Sequence, residues 1–146
     1  MELWKGVCLV HDNFSLDKLI QLCIQFPTAS IIAHPESNEK VLKVAHFIGS
    51  TSAMISCVAN SKNDLFIVGT EVGILHKLKL LFPDKLFIPV PSEVENSCSC
   101  SECEFMKMNT LSNILSCLET ENPEVLLEES IIKRAAIPLN RMLTIS

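Results

Sequence analysis

Short apolar stretches alternate with segments of helical periodicity along the first two thirds of the chain. Apolar residues between positions 16 and 23 recur at the spacing of one helix face, and Ser15 before them is a suitable N-cap. Residues 30–33, 64–69 and 85–89 are expected to form strands. Ile31–Ala33 and Leu65–Val68 are apolar without alternation, which is typical of strands buried on both faces. This order predicts an α/β fold, with a parallel sheet between two layers of helices.

The remaining elements are expected from shorter signals. The apolar stretch 7–10 predicts the end of a strand, and Ser37 predicts the cap of a helix. That helix would bury one face made of Val41, Val44, Ala45 and Ile48. A third helix is expected at Gly49-Ser50-Thr51-Ser52 with Met54, Cys57 and Val58 inward, and a fourth follows Gly73 through Ile74, Leu75, Leu78 and Leu81.

The last third of the chain has a different character. Residues 92–103 are polar and rich in cysteine, which predicts a loop. Two helices are expected after it, over about 109–119 and 123–143. Because Pro138 lacks a backbone N–H, we expect the second of them to break or kink near Ile137.

Composition restricts the class of protein. The 146 residues are 48% hydrophobic, enough for one domain with a buried core. The net charge of −5 argues against a nucleic-acid surface, which needs clustered basic residues. No apolar run approaches the length of a membrane span, and the amino terminus has no stretch typical of a signal peptide, so we expect neither a membrane protein nor export.

Seven cysteines in such a chain favour free thiols or metal ligands over a disulfide framework. Cys98, Cys100 and Cys103 form a C-x-C-x-x-C pattern that can converge on a metal or cluster. The alternatives are a loop without a ligand and a redox pair of Cys100 with Cys103. A four-thiolate site would need a distant fourth ligand, for which Cys8 is best placed. The others, on apolar helix faces, are expected in the core: Cys23, Cys57 and Cys117.

Three polar groups lie where a parallel sheet collects its ligands. His34-Pro35-Glu36 follows the strand 30–33, and suits a proton-transfer or substrate-binding pair or an ordinary turn equally well. Gly49-Ser50-Thr51-Ser52 suits an anion cradle, although simple helix capping explains it better. His11, three residues after Cys8, can share the same cavity. His46 and His76 are interpreted as surface or hydrogen-bonded histidines.

Five motifs in order resemble the quinolinate synthase family. They are Trp4-x-Gly6-x-Cys8-x-Val10-His11, Ile32-Ala33-His34-Pro35-Glu36, Phe47-Ile48-Gly49-Ser50-Thr51-Ser52, Phe66-Ile67-Val68-Gly69-Thr70-Glu71-x-Gly73-Ile74-Leu75-His76-x-Leu78, and Cys100-x-x-Cys103-x-Phe105-Met106-x-Met108-Asn109. Together they cover nearly the whole chain.

The resemblance implies an enzyme of NAD biosynthesis that condenses iminoaspartate with dihydroxyacetone phosphate to quinolinate. It also implies a [4Fe-4S] cluster held by three cysteines, one from each of three similar α/β domains around a pseudo-threefold axis. The iron without a protein ligand binds substrate as a Lewis acid. Cys8 and Cys103 match two of the cluster ligands, and Cys100 matches a possible redox partner of Cys103.

The same resemblance assigns roles to the polar motifs. His34 and Glu36 match catalytic and substrate-contacting residues, with Pro35 between them, and His11 is a weaker match to a residue near the active site. Ser50 and Thr51 match the group that binds the anionic end of the substrate.

Family members are about twice as long as this chain, and the chain contains no tyrosine. The resemblance therefore implies that residues 1–11 are the tail of the second domain, 12–103 the third domain and 104–146 the carboxyl-terminal helices. We expect the chain to be inactive unless another chain supplies the amino-terminal half. An oxygen-sensitive cluster implies a reducing compartment, the cytoplasm or alternatively the plastid stroma. The alternative function is a non-catalytic, cysteine-rich zinc module.

Overall fold

A four-stranded parallel sheet with helices on both faces forms the larger part of the protein. The computed structural model describes residues 6–93 and 101–145. In chain order the elements are α1 (Leu9–Asp12), α2 (Leu16–Gln25), β1 (Ser30–Ala33), α3 (Glu39–Leu42), β2 (Phe47–Ile48), α4 (Thr51–Asn60), β3 (Leu65–Gly69), α5 (Gly73–Leu81), β4 (Leu86–Pro89), α6 (Glu104–Lys107), α7 (Leu111–Thr120) and α8 (Glu129–Leu143). The strand order is β2-β1-β3-β4, and every pairing is parallel. The predicted α/β class is confirmed.

The sheet separates two hydrophobic clusters. One, the α1–α3 cluster, joins Ile31, Ala33 and Ile67 of the sheet to side chains from the first three helices: Val10, Leu19 and Val41. The other joins Ile32, Phe66, Val68 and Phe87 to α4 and α5 through Met54, Val58, Leu75 and Leu78. Because successive strand residues point to opposite faces, one apolar run supplies both clusters. The expected three layers are therefore present.

Two predicted helix starts are confirmed. The Ser15 hydroxyl accepts a hydrogen bond from Lys18 N at 3.5 Å, and the Ser50 hydroxyl accepts one from Ala53 N at 3.3 Å. Both hydroxyls satisfy amides that the first helical turn leaves without an intrahelical partner.

The prediction of a strand end at residues 7–10 is wrong. Leu9–Asp12 is a short helix, with Cys8 as its N-cap in an extended conformation. The amides of Asp12 and Asn13 donate to the carbonyls of Cys8 and Leu9. A four-residue apolar stretch has no period that distinguishes a strand from one helical turn.

The helix expected after Ser37 is shorter than predicted and has another cap. Asn38 caps it, accepting from Val41 N at 3.1 Å, whereas the Ser37 hydroxyl donates to Gly69 O at 3.1 Å. Of the predicted inward face only Val41 is buried, because the helix ends at Leu42 and Ile48 belongs to the unpredicted strand β2.

The chain divides into two compact units, Met1–Glu104 and Phe105–Ser146. In the second unit, α7 begins close to the predicted position, but α8 begins at Glu129 and not at 123. Of the break or kink expected near Ile137, the break is absent, since α8 continues through Pro138 to Leu143. A proline removes one hydrogen bond of the ladder, and the bonds on either side of it can keep the helix continuous.

The cysteines expected in the core divide into two kinds. Cys23 packs against the α1–α3 cluster and Cys57 against the opposite one, both partly buried. Cys117 is exposed on α7, so its assignment to the core is wrong. Its helix carries an apolar face that has no buried residue, and periodicity alone could not reveal this.

Candidate functional site

The carboxyl ends of the strands bring the polar motifs to one edge of the sheet. Ala33 pairs with Ile48 on one side and with Gly69 on the other. The residues that follow these three positions are His34, Gly49 and Thr70. They therefore lie next to one another, directly after the carboxyl ends of the paired strands. Parallel α/β sheets bind ligands at this edge because the strands end there and the next helices begin.

His11 lies at this edge and is buried, at 6% exposure, more deeply than the half-buried His34. Its Nε2 is hydrogen bonded to Thr70 Oγ1 at 3.0 Å. Its Nδ1 has no hydrogen bond within the described residues, although Glu36 Oε2 lies 3.4 Å away, within the reach of an ion pair. One nitrogen is therefore fixed by the fold, and the other points toward a carboxylate without being bound to it.

His34 stacks on His11. The ring centroids are 4.7 Å apart, and the planes differ by 6°. The backbone of His34 is held by the sheet, since its amide donates to Gly69 O at 2.9 Å. The amide of Ser37 donates to His34 O, which closes a turn over the exposed Pro35 and Glu36. The predicted pair of imidazole and carboxylate is therefore also a turn, so the two interpretations of this motif are compatible.

Burial lowers the pKa of His11 from its ordinary value of 6.5, and the neighbouring His34 lowers it further. The carboxylates of Glu36 and Glu71 act in the opposite direction. Burial disfavours the charged imidazolium, and a second imidazole adds repulsion. His11 is therefore held as a neutral imidazole around neutral pH.

Asn38 positions His11 and was not predicted as a site residue. Its amide nitrogen donates to the carbonyls of Asp12 and Phe14 at 3.1 and 2.8 Å, and its backbone N–H donates to His11 O at 3.1 Å. Phe14 in turn meets the His11 ring edge-on, with centroids 5.9 Å apart. The sequence signal for this residue is an asparagine directly before an apolar-periodic segment, a preferred N-cap position.

Thr70 was missed as well, although it follows strand β3 as His34 follows β1. It is buried, at 4% exposure, and its hydroxyl is the partner of His11 Nε2. The strand-end rule applied to each strand would have identified it.

Cys8 and Cys103 both pack, partly buried and as free thiols, against the α1–α3 cluster. The approach of Cys103 is fixed two residues earlier by the buried Ser101, whose hydroxyl donates to Val90 O at 2.7 Å. The carbonyl of Ser101 accepts from Val72 N at 3.0 Å. These bonds tie the chain before Cys103 to the segments that follow β3 and β4. The predicted Cys98 and Cys100 lie outside the described residues.

Ser50 and Thr51 begin α4, directly after the strand that neighbours β1. The Ser50 hydroxyl caps the helix, as the simpler interpretation predicted, and Thr51 is exposed. Within the described residues no hydrogen bond or ion pair joins either side chain to His11, His34 or Glu36. The structure therefore groups Cys8, His11, His34 and Glu36 closely, and the serine–threonine pair lies on the adjacent strand end.

The geometry defines a three-layer α/β protein with thiol, imidazole and carboxylate groups at the carboxyl edge of its sheet. The chain belongs to the quinolinate synthetase A protein family, whose model matches residues 1–144. The family expected from the five motifs is therefore confirmed.

Its relatives include proteins named quinolinate synthase from three cyanobacteria. The protein of Cyanothece sp. PCC 7425 is 47% identical over 146 residues, that of Nostoc punctiforme 46% over 144, and that of Synechocystis sp. PCC 6803 43% over 146. These matches cover 99–100% of this chain but only 44–45% of the relatives. The chain thus spans less than half the length of the curated relatives it matches.

No helix in the part of the chain that the structure describes combines the length and the apolarity needed to cross a bilayer.

Proposed function

We propose that this chain contributes the carboxyl-terminal part of a quinolinate synthase, which condenses iminoaspartate with dihydroxyacetone phosphate in NAD biosynthesis. The observation that carries the proposal is similarity to quinolinate synthases along the whole chain. It is supported by the convergence of a thiol, two imidazoles and a carboxylate at one sheet edge. Because the chain spans 45% of the Cyanothece relative, we propose that a second chain or segment supplies the rest of the active site.

The thiols present fit part of a [4Fe-4S] site. Cys8 and Cys103 are free, partly buried and in contact with the same hydrophobic cluster, so both lie on one side of the sheet. Thiolates are the usual ligands of such clusters. We propose that these two residues would hold the cluster together with a cysteine from outside this chain. When bound, the cluster would supply a Lewis acid for the substrate.

His34 is suited to donate a hydrogen bond to a substrate oxygen. Its Nδ1 accepts from the Glu36 amide at 3.3 Å, so the proton of the neutral ring belongs on Nε2. Within the described residues Nε2 has no hydrogen-bond partner. A preorganised N–H at this edge would orient a carboxylate or polarise a carbonyl of the substrate.

Glu36 is suited to move protons. A condensation that loses water needs a proton removed at carbon and a proton delivered to the departing oxygen. The Glu36 carboxylate is 63% exposed and lies 3.4 Å from His11 Nδ1, so it can contact a substrate and exchange a proton with a neutral imidazole. We assign to Glu36 the acid–base role and to His11 the support of its carboxylate.

The start of α4 is suited to hold the anionic end of a substrate. The exposed Thr51 and the capping Ser50 have hydroxyl groups at a helix N-terminus, where first-turn amides point outward. We propose that they bind a phosphate or carboxylate of the substrate.

The test is reconstitution with the missing part. The chain is coexpressed with the remaining portion of the Cyanothece quinolinate synthase, and iron and sulfide are added anaerobically. We expect the broad visible absorbance of an iron–sulfur cluster and quinolinate formation from the pair, and no quinolinate from the chain alone. Cys8→Ser and Cys103→Ser should remove both signals, whereas Cys117→Ser, at an exposed thiol, should keep them.

Two outcomes would overturn the proposal. Quinolinate formation by the isolated chain at the rate of the reconstituted pair would show that no second half is needed. A colourless pair that retains stoichiometric zinc and forms no quinolinate would support the zinc module.

A reducing compartment is part of the proposal. Five described cysteines are free, and an iron–sulfur cluster degrades in oxidising surroundings. We propose the cytoplasm, with the plastid stroma as the alternative, and fractionation of the source cells distinguishes the two.

A further inference from the structure

Three different metal-binding groups meet beside α1. Ligand atoms of Cys8, His11 and Glu36 all lie within 4.8 Å of one another. Thiolate, imidazole and carboxylate are the donors that zinc uses in proteins. The group combines a partly buried thiol, a buried imidazole and an exposed carboxylate.

The second observation is the environment of His11 Nδ1. This nitrogen belongs to a residue that is only 6% exposed, and within the described residues it has no hydrogen bond, its nearest charged neighbour being Glu36 Oε2 at 3.4 Å. A buried polar atom without a partner costs free energy, so native structures rarely leave one without a reason. A metal ion bound at Nδ1 would satisfy it.

The other nitrogen of the ring already has a hydrogen-bond partner. Nε2 lies 3.0 Å from Thr70 Oγ1, and a proton donated from Nε2 to that oxygen leaves the Nδ1 lone pair free. Metal-binding histidines generally donate their second N–H to a carboxylate, a backbone carbonyl or water, and a hydrogen bond to the Thr70 hydroxyl can fix the tautomer and the ring orientation in the same way.

Glu36 leaves the site open to solvent. Its side chain is 63% exposed, whereas that of His11 is 8% exposed. Three protein ligands with one accessible side leave a position for water or another small ligand, as in zinc sites that are not closed by four side chains.

We propose that Cys8, His11 and Glu36 form a site for one divalent ion of the zinc type in the chain without an iron–sulfur cluster. Binding requires the thiolate of Cys8, so it releases the thiol proton to solvent. The inference does not rest on the proposed enzymatic function. Because the cluster is proposed to use Cys8 too, zinc bound here would compete with cluster assembly.

The test is titration of the reduced, cluster-free 146-residue chain with Co²⁺, followed by displacement with Zn²⁺. Cobalt bound to a thiolate gives a charge-transfer absorbance, so the signal reports the bond to sulfur directly. We expect one equivalent of Co²⁺ per chain and loss of the absorbance when Zn²⁺ is added. Neither the missing half nor any activity is required, so failure here is distinguishable from failure of the proposed function.

Variants assign the ligands. Cys8→Ser should remove the charge-transfer absorbance, and His11→Gln and Glu36→Gln should weaken Co²⁺ binding by more than about 100-fold, beyond the loss typical of outer-shell changes. Thr70→Val should weaken it by roughly 10–100-fold, with recovery in Thr70→Ser, which keeps the hydroxyl. Circular dichroism checks that each variant folds. If a buried variant does not fold, the exposed Glu36→Gln still decides the proposal.

Matched cysteine variants test the competing location. Cys103→Ser and Cys117→Ser should retain the absorbance and the stoichiometry. Loss in Cys103→Ser with retention in His11→Gln and Glu36→Gln would place the ion on the cysteine loop and overturn the proposal. Absence of any cobalt–thiolate absorbance in the unmodified chain would overturn it too.

Discussion

The two units of the chain use amphipathic helices in opposite ways. The α/β unit is Met1–Glu104, and the helical unit is Phe105–Ser146. In the α/β unit, α5 buries Leu75 and Leu78 against the sheet. In the helical unit, α7 and α8 contain no buried residue, and Leu111 and Leu118 are 86% and 76% exposed. The same apolar periodicity thus forms a core in one unit and an open surface in the other.

The comparison teaches that periodicity predicts a helix without specifying what covers it. A stripe of leucines stabilises a protein only when it is removed from water, by about 25 cal/mol for each Å² buried. In the described residues of the helical unit, large apolar side chains such as Leu111, Leu118 and Val125 are mostly exposed. The stability of the isolated chain must therefore come mainly from the α/β unit.

The largest expected effect contrasts two leucines. Leu78→Ala creates a cavity beside the sheet and should lower the free energy of unfolding by about 2–5 kcal/mol. Leu118→Ala removes a side chain already in water and should change it by less than about 0.5 kcal/mol. Urea denaturation followed by far-ultraviolet circular dichroism measures both. Equal losses for the two variants would show that α7 is covered in solution and would break the comparison.

A smaller effect contrasts two helix caps. Asn38→Ala removes the cap of α3 and the two bonds to the carbonyls of Asp12 and Phe14, and should cost about 1–2 kcal/mol. Thr110→Ala removes the cap of α7 in the helical unit, and should leave the unfolding of the α/β unit unchanged.

Asn38→Ser separates the two contributions of the asparagine. A serine hydroxyl can cap the helix, but serine lacks the side-chain amide that donates to the two carbonyls. The decrease in the free energy of unfolding should therefore lie between zero and that of Asn38→Ala. A serine variant as stable as the unmodified chain would show that the bonds to the carbonyls of Asp12 and Phe14 contribute nothing. The midpoint of urea unfolding is again the measurement.

Much of the α/β unit could be predicted from the sequence because its signals are local. Continuous apolar strands and Ser or Thr before periodic segments identified β1, β3, β4 and the starts of α2 and α4. The two-residue strand β2 and the one-turn helix α1 were missed because neither is long enough to show a period. The exposure of Cys117 depends on tertiary context that no local pattern contains.

The site was predicted in part for the same reason. His34 and Glu36 follow a recognisable strand, and Cys8 and His11 were noticed as neighbours in sequence. The stacking of His11 on His34 joins residues 23 positions apart and depends on the packing of α1. The roles of these residues, and of Ser50, Thr51 and Cys103, stay predictions for the reconstitution experiment.

The smallest expected effect concerns pH, and it again separates the units. All four histidines lie in the α/β unit, so only this unit has imidazoles to titrate. Burial and the neighbouring His34 lower the folded-state pKa of His11 below 6.5, against the opposing charges of Glu36 and Glu71. Between the folded and unfolded pKa values the unfolded chain binds the additional proton, so stability falls as pH falls. Protonation of His11 therefore leaves the free energy of unfolding unchanged above about pH 6.5 and lowers it progressively below that pH.

Urea midpoints measured from pH 7.5 down to about 5 test this linkage. His11→Gln should flatten the decrease below pH 6.5, because the buried ring no longer takes up a proton on unfolding. His76→Gln changes an exposed histidine of α5 and should leave the slope as it is. If both variants kept the slope of the unmodified chain, protonation of His11 would not limit the acid stability of the α/β unit.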